Sequence, residues 1–298
     1  VELADAPAGK LAAIQALRAK YPAHPGLLTE EMKIYLDDGK SALALKSFND
    51  YMASPAVAGR VPVVPASGAI TAAVRAGQLK AALDIAEKLA QSTGLGQWKI
   101  LAEILAAGVD PARAAELIGP AEKADALSAM LGLCLAGPGD ASAWLARLDQ
   151  LNYGATASPM SVAHAEQFRL LCGMAARDDA RVAAAMAKLS AGLGSSPDAA
   201  RELAGHYAAD KAAASAEARD LIKVELATDL LQTDLARLWA TSALKARPTC
   251  QWAAIRLAGA AASAEQLTEA AALLKPEDCY VARLLRAQTR FGAELDTF

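Results

Sequence analysis

Aromatic side chains make up only 5% of this 298-residue chain, although 54% of it is hydrophobic. The apolar content is therefore aliphatic and small, which leaves little of the β-branched and aromatic material from which strands are built. That argues against a β-sandwich. Four cysteines, Cys134, Cys172, Cys250 and Cys279, are too few and too dispersed for a disulfide scaffold, and no C-x-x-C occurs. Cys134 and Cys172 lie in apolar helical runs and read as buried small hydrophobes; pairing would need an oxidising compartment and close Cα atoms. No stretch approaches 18 apolar residues free of charge, Pro or Gly, so no membrane-spanning helix is expected. Positive charge is not in excess either, since 30 basic and 33 acidic residues give a net charge of -3. Nucleic-acid binders usually show a basic domain or stripe, because phosphate neutralisation drives their affinity, and no nucleic-acid partner is expected here.

What abounds is alanine, about a quarter of the chain. Alanine loses no side-chain entropy in a helix, so this composition predicts an all-α protein. The pattern along the chain is helix, turn, helix. Lys10–Tyr21 carries Leu11, Ile14 and Leu17 and ends before Pro22; Leu27–Asp38 follows, then Asp38-Gly39, then Ser41–Met52 with Leu45, Phe48 and Met52 on one face. The same grammar returns at Thr71–Gln91, broken by Gly77, and at Gln97–Ile118, broken by Gly108 and Pro111. Short turns imply antiparallel neighbours.

These positions resemble the tetratricopeptide-repeat family, whose unit sets a large residue early in helix A, Leu and a small residue at mid-helix, and Ala in helix B. Matching residues are Leu28, Met32, Tyr35, Ala44, Phe48, Tyr51 and Pro55, with Glu31 where Leu is usual. The best match is Trp98, Leu101, Ala102, Leu105, Ala114, Ile118 and Ala121. A further copy reads Leu131, Gly132, Leu135, Trp144, Leu148 and Leu151, with Trp144 replacing the usual Ala. Another reads Leu170, Leu171, Met174, Ala183 and Ala187, and weaker ones involve Leu226, Trp239, Ala243, Trp252 and Ile255. The spacing runs from about 30 to 39 residues rather than a strict 34, and an unrelated irregular helical array would share the composition. The resemblance implies a right-handed α-solenoid of about eight antiparallel helix pairs. Residues 1–9 would be a tail, 10–193 a first array, and 194–298 a more degenerate segment continuous with it.

Two stretches interrupt the pattern. Ser54–Pro65 holds three prolines and a glycine and predicts a long connection, extended around Val61–Pro65. Gly192–Pro197 predicts a joint before a helix capped by Ser196.

Motifs of chemistry are thin. Gly39-Lys40-Ser41 matches the tail of a phosphate-binding loop, but the first Gly of that motif falls on Ile34 inside a helix, so Gly39 reads as a helix stop and Ser41 as the next N-cap. His24, His164 and His206 have no ligand-spaced neighbours. Asp37-Asp38 and Asp178-Asp179 precede helix N-termini, where carboxylates are favourable. No G-x-S-x-G occurs. The reading is therefore a non-enzymatic chain without metal, cofactor or small-molecule substrate.

What the resemblance implies is a scaffold or adaptor binding other proteins. Its groove-facing positions map to Ala126, Ala129, Met130, Leu133, Phe168, Arg169 and Cys172, a largely apolar set that could equally be covered by the winding of the array. Arg283, Arg286 and Arg290, spaced i, i+3, i+7, form either a solvated face or a contact for a phosphate or an acidic partner. They belong to Tyr280–Phe298, read as a last helix that docks a partner or continues into further residues. Two other readings stay open: a structural subunit of a large membrane-bound or ribonucleoprotein assembly, and a helical-repeat RNA-binding protein. The start at Val1 fits a mature chain after removal of a leader or presequence, periplasmic or organellar, with peripheral membrane association a further option.

Overall fold

The computed structural model describes residues 7–57, 60–137, 140–151, 159–190, 197–261 and 263–274. Among these the chain is all-helical: sixteen α-helices, two single 3-10 turns and no strand. Contacts divide it into two compact units, Val1–Leu117 and Ile118–Phe298.

The first unit contains α1 (Pro7–Lys20), α2 (Pro25–Asp37), α3 (Ser41–Met52), α4 (Val63–Arg75), α5 (Leu79–Thr93) and α6 (Gly96–Val109), with α7 (Pro111–Ile118) at its end. From α1 to α6 each helix packs on the next, and α2 also packs on α4. Small residues make this close stacking feasible: Ala44, Ala66, Ala69, Ala72, Ala73, Ala82 and Ala86 are buried between the larger Leu28, Met32, Phe48, Ile70 and Leu89. Glu31, the departure from the repeat pattern, is buried and ion-paired with Arg18 of α1. A carboxylate is tolerated there because its charge is met across the helix pair.

Two local expectations are corrected in this unit. Ser41 is not an N-cap; it is the first residue of α3, and Lys40 occupies the cap position without a side-chain bond. Gly39, at φ +70°, lets the chain wrap back so that the Lys40 N–H donates to the Tyr35 carbonyl at 2.7 Å, and the new helix starts at once. The stretch Val61–Pro65 is not extended throughout. Residues Pro55–Val57 form a 3-10 turn and α4 begins at Val63, with Pro65 inside its first turn, where a missing N–H leaves no hydrogen bond unmade.

The second unit contains α8 (Ala126–Leu135), α9 (Ala141–Leu151), α10 (Pro159–Ala176), α11 (Asp179–Ser190), α12 (Pro197–Ala209), α13 (Lys211–Asp229), α14 (Thr233–Ala246), α15 (Gln251–Gly259) and α16 (Ala264–Ala272). Its caps are chemically explicit. Asp125 accepts from Ser128 N at 2.9 Å, Asp178 from Arg181 N at 3.0 Å, and Asp210 from Ala212 N and Ala213 N at 3.0 Å each. Helix α13 is the centre, packed on α8, α10, α12, α14 and α15. Contact with α8 joins elements far apart in the chain, beyond the nearest-neighbour contacts of a simple repeat stack. Trp144 finds its room at Gly132: a Cβ there would stand 2.5 Å from the indole ring, so the large residue in α9 and the missing side chain in α8 compensate each other. Of the joint expected at Gly192–Pro197, Pro197 opens α12 and residues 192–196 lie outside the described residues, as does the last helix expected at Tyr280–Phe298.

Candidate functional site

Four helices of the second unit converge on a partly open cavity of about 70 Å³. Helix α8 supplies Met130, α9 supplies Leu148 and Asp149, α10 supplies Phe168, Arg169 and Cys172, and α11 supplies Arg181. Four residues singled out from the sequence, Met130, Phe168, Arg169 and Cys172, thus meet at one place. They do not form an open apolar face, because Met130, Phe168 and Cys172 are buried and Arg169 is partly exposed. Leu133 is buried in α8. The space exceeds the roughly 10–15 Å³ one water needs and falls below the ~150 Å³ that admits a benzene ring. It suits a side-chain tip or a few waters.

The cavity is electrically asymmetric. Arg181 donates two hydrogen bonds to Asp149, each 2.8 Å, and its Nε lies 3.5 Å from Asp178. Those bonds hold the Asp149 carboxyl below the ordinary carboxylate range. Arg169 pairs with Glu166, a buried carboxylate that also accepts from Lys188 Nζ at 2.9 Å. The lining therefore carries two guanidinium groups and one carboxylate over a floor of Met130, Leu148 and Phe168. Burial pushes the Cys172 thiol up, so it stays protonated and packs as an apolar atom rather than acting as a nucleophile.

The second unit also holds a buried polar cluster that pattern reading did not anticipate. Glu225 of α13 is buried and accepts from Trp252 Nε1 at 2.7 Å and Arg256 Nε at 2.6 Å, both on α15. The Arg256 guanidinium also reaches Gln167 of α10 at 3.5 Å. His164, at the start of the same face of α10, stands 2.9 Å from Asp229 of α13 and sets its ring edge-to-face on Phe168, with centroids 5.0 Å apart. The hydrogen bond to Asp229 raises the imidazole above its ordinary value, against the opposing effect of its partial burial, while Glu225 reinforces the rise and Arg256 opposes it. Two turns before Glu225 on α13, Arg247 bridges Glu217 to Glu202 of α12, and His206 approaches Glu217 at 3.6 Å. The available signal was Glu225 set within the apolar run Leu221, Ile222, Val224 and Leu226: a charge on a buried face implies a fixed partner.

Three cysteines, Cys134, Cys172 and Cys250, are free thiols, and Cys250 caps α15 by accepting from Ala253 N at 3.4 Å. Among the described residues no three His, Cys, Asp or Glu side chains converge to hold a metal ion, and no helix is long and apolar enough to cross a membrane. Arg283, Arg286 and Arg290 lie outside the described residues. In comparisons with protein families, curated proteins and solved structures, this chain matches none.

Proposed function

We propose that this chain is a non-enzymatic scaffold that binds other proteins through helical-repeat surfaces of the tetratricopeptide type, with its helices paired in a right-handed superhelical array. The contact of α2 with α4 in the first unit and of α8 with α10 in the second supports the pairing, because helix A of one repeat packs on helix A of the next. The observation that carries the binding reading is the partly open cavity where Met130, Phe168, Arg169 and Cys172 meet Asp149 and Arg181. A partner side chain entering it meets a preformed floor and fixed charges. Little ordering is then required on association, and contact elsewhere on the surface supplies the rest of the affinity.

Arg169→Gln tests this directly, since the side chain is partly exposed and the substitution keeps its polarity. Immobilised parent protein should retain a defined set of proteins from its native source, identified by mass spectrometry. The variant, with an unchanged circular dichroism spectrum, should lose that set. A variant that retains the same proteins at the same yield refutes the cavity as the binding site.

A further inference from the structure

The connections between helices of the first unit alternate between its two ends. Those following α1, α3 and α5 lie at one end and those following α2 and α4 at the other. One hydrogen bond links elements within each end: Tyr51 Oη donates to the Ala23 carbonyl at 3.5 Å, and Arg75 Nη1 donates to the Leu36 carbonyl at 3.4 Å. The two ends differ in chemistry. At the first, Tyr21 is 59% exposed, Val63 41%, Val64 65% and Leu95 50%, although all four are apolar or aromatic. The described residues of those connections, 20–25, 53–57, 60–64 and 94–95, contain no acid, and their basic residues are Lys20, His24 and Arg60; the nearby Asp50, in the last turn of α3, is paired with Lys46. All three are exposed. The opposite end carries Asp37, Asp38 and Lys40, Arg75 at the end of α4, an uncharged connection at 76–78, and Asp110 where α6 ends.

We propose that the end bearing Tyr21, Val63, Val64 and Leu95 seats on an anionic lipid bilayer. Apolar side chains at connection tips reach the headgroup–acyl boundary without a spanning helix. An aromatic residue at the tip suits that interface, and flanking Lys and Arg are drawn to anionic headgroups. The absence of carboxylates from all three connections removes the repulsion that such a surface would otherwise exert. The opposite end sets three carboxylates, Asp37, Asp38 and Asp110, against two cations, Lys40 and Arg75, which makes it the less favourable seat, so attachment is oriented. A protein groove would equally cover apolar tips, but it gives no reason for acids to be missing from three separate connections.

Flotation with vesicles distinguishes the two. With phosphatidylcholine vesicles containing 30 mol% phosphatidylserine (~0.1 M salt), the full chain should float, with binding at least about tenfold weaker to pure phosphatidylcholine. Val64→Asp and Leu95→Asp should each weaken binding about tenfold or more, and Lys20→Glu with Arg60→Glu together by a similar factor. Leu43→Asp at the opposite end should leave it unchanged. All these residues are exposed, so the variants retain the fold, checked by circular dichroism. Failure of the parent to float with the anionic vesicles overturns the proposal, as does equal binding by Val64→Asp, Leu95→Asp and the parent; either result leaves the tips to a protein partner.

Discussion

Gly132 is the position where the packing of the second unit is least forgiving. Its place in the interior of α8 means that alanine should help on intrinsic grounds, by about 1 kcal/mol. The added Cβ, however, would stand 2.5 Å from Cη2 and Cζ3 of Trp144 and 2.6 Å from Cε3. Ordinary carbon contacts fall at about 3.5–4.0 Å, so the indole must retreat by roughly 1 Å. The obstacle is the rigid body of the ring rather than the end of a flexible chain. Overpacking against a rigid ring this close costs about 2–3 kcal/mol, the upper part of the usual range, which outweighs the helix gain of about 1 kcal/mol and leaves a net loss of about 1–2 kcal/mol for Gly132→Ala. In a unit of this size that lowers Tm by about 2–8 °C. Gly205 provides the internal control, since it lies in α12 with nothing within 4 Å of its would-be Cβ. Gly205→Ala should stabilise by about 0.5–1 kcal/mol. Thermal and urea unfolding followed by circular dichroism measure both. In the double variant Gly132→Ala/Trp144→Leu the loss from the alanine should disappear, because the two sites are coupled. If Gly132→Ala proves as stable as Gly205→Ala, the tight approach of α8 to α9 is wrong.

Protonated His164 joins α10 to α13 through Asp229, and its pKa is raised in the folded chain. The stabilisation is complete below the unfolded value near 6.5 and is lost as pH rises through the higher folded value, so the second unit should melt lower at pH 8.5 than at pH 6. In Asp229→Asn that portion of the pH dependence should vanish, and melting curves that keep the same pH profile would rule out this pairing. Glu225→Ala strands the Trp252 N–H and the Arg256 guanidinium in a largely buried setting. It should destabilise by about 3 kcal/mol in urea titration, far more than the ~0–1 kcal/mol expected for an exposed pair such as Lys46–Asp50.

Helix class and most helix positions were legible in the sequence because Ala-rich periodicity and glycine stops act locally. Gly39, Gly77 and Gly94 all take positive φ directly after α2, α4 and α5. Leu28, Met32, Phe48, Leu101 and Leu105 are buried, as their spacing implies. Boundaries decided by longer-range demands were not legible: Pro65 closes the stretch expected to be extended, yet it sits in the first turn of a helix whose later residues are buried. At the candidate site, Met130, Phe168, Arg169 and Cys172 are positions that the repeat resemblance implies. Leu148 matches a repeat position, but Asp149 and Arg181 have no such signal, because their meeting depends on α9 and α11 closing over α10. The Glu225 and Arg247 networks were missed for the same reason. Each links residues about thirty or more positions apart, and no local signal reports which cation a buried carboxylate will find.

The central place of α13 also has consequences during synthesis. The Cys134 thiol of α8 meets the Arg219 carbonyl of α13, 85 residues later. A ribosome adding about 5–20 residues per second delivers that partner some 4–17 s after α8 has emerged. Through that interval the faces of α8 and α10 that α13 will cover stand open, whereas each helix from α2 to α6 meets the helix before it as soon as it forms. The second unit is therefore the part of the nascent chain most in need of a chaperone, and a translational pause before residue 211 would lengthen its exposure.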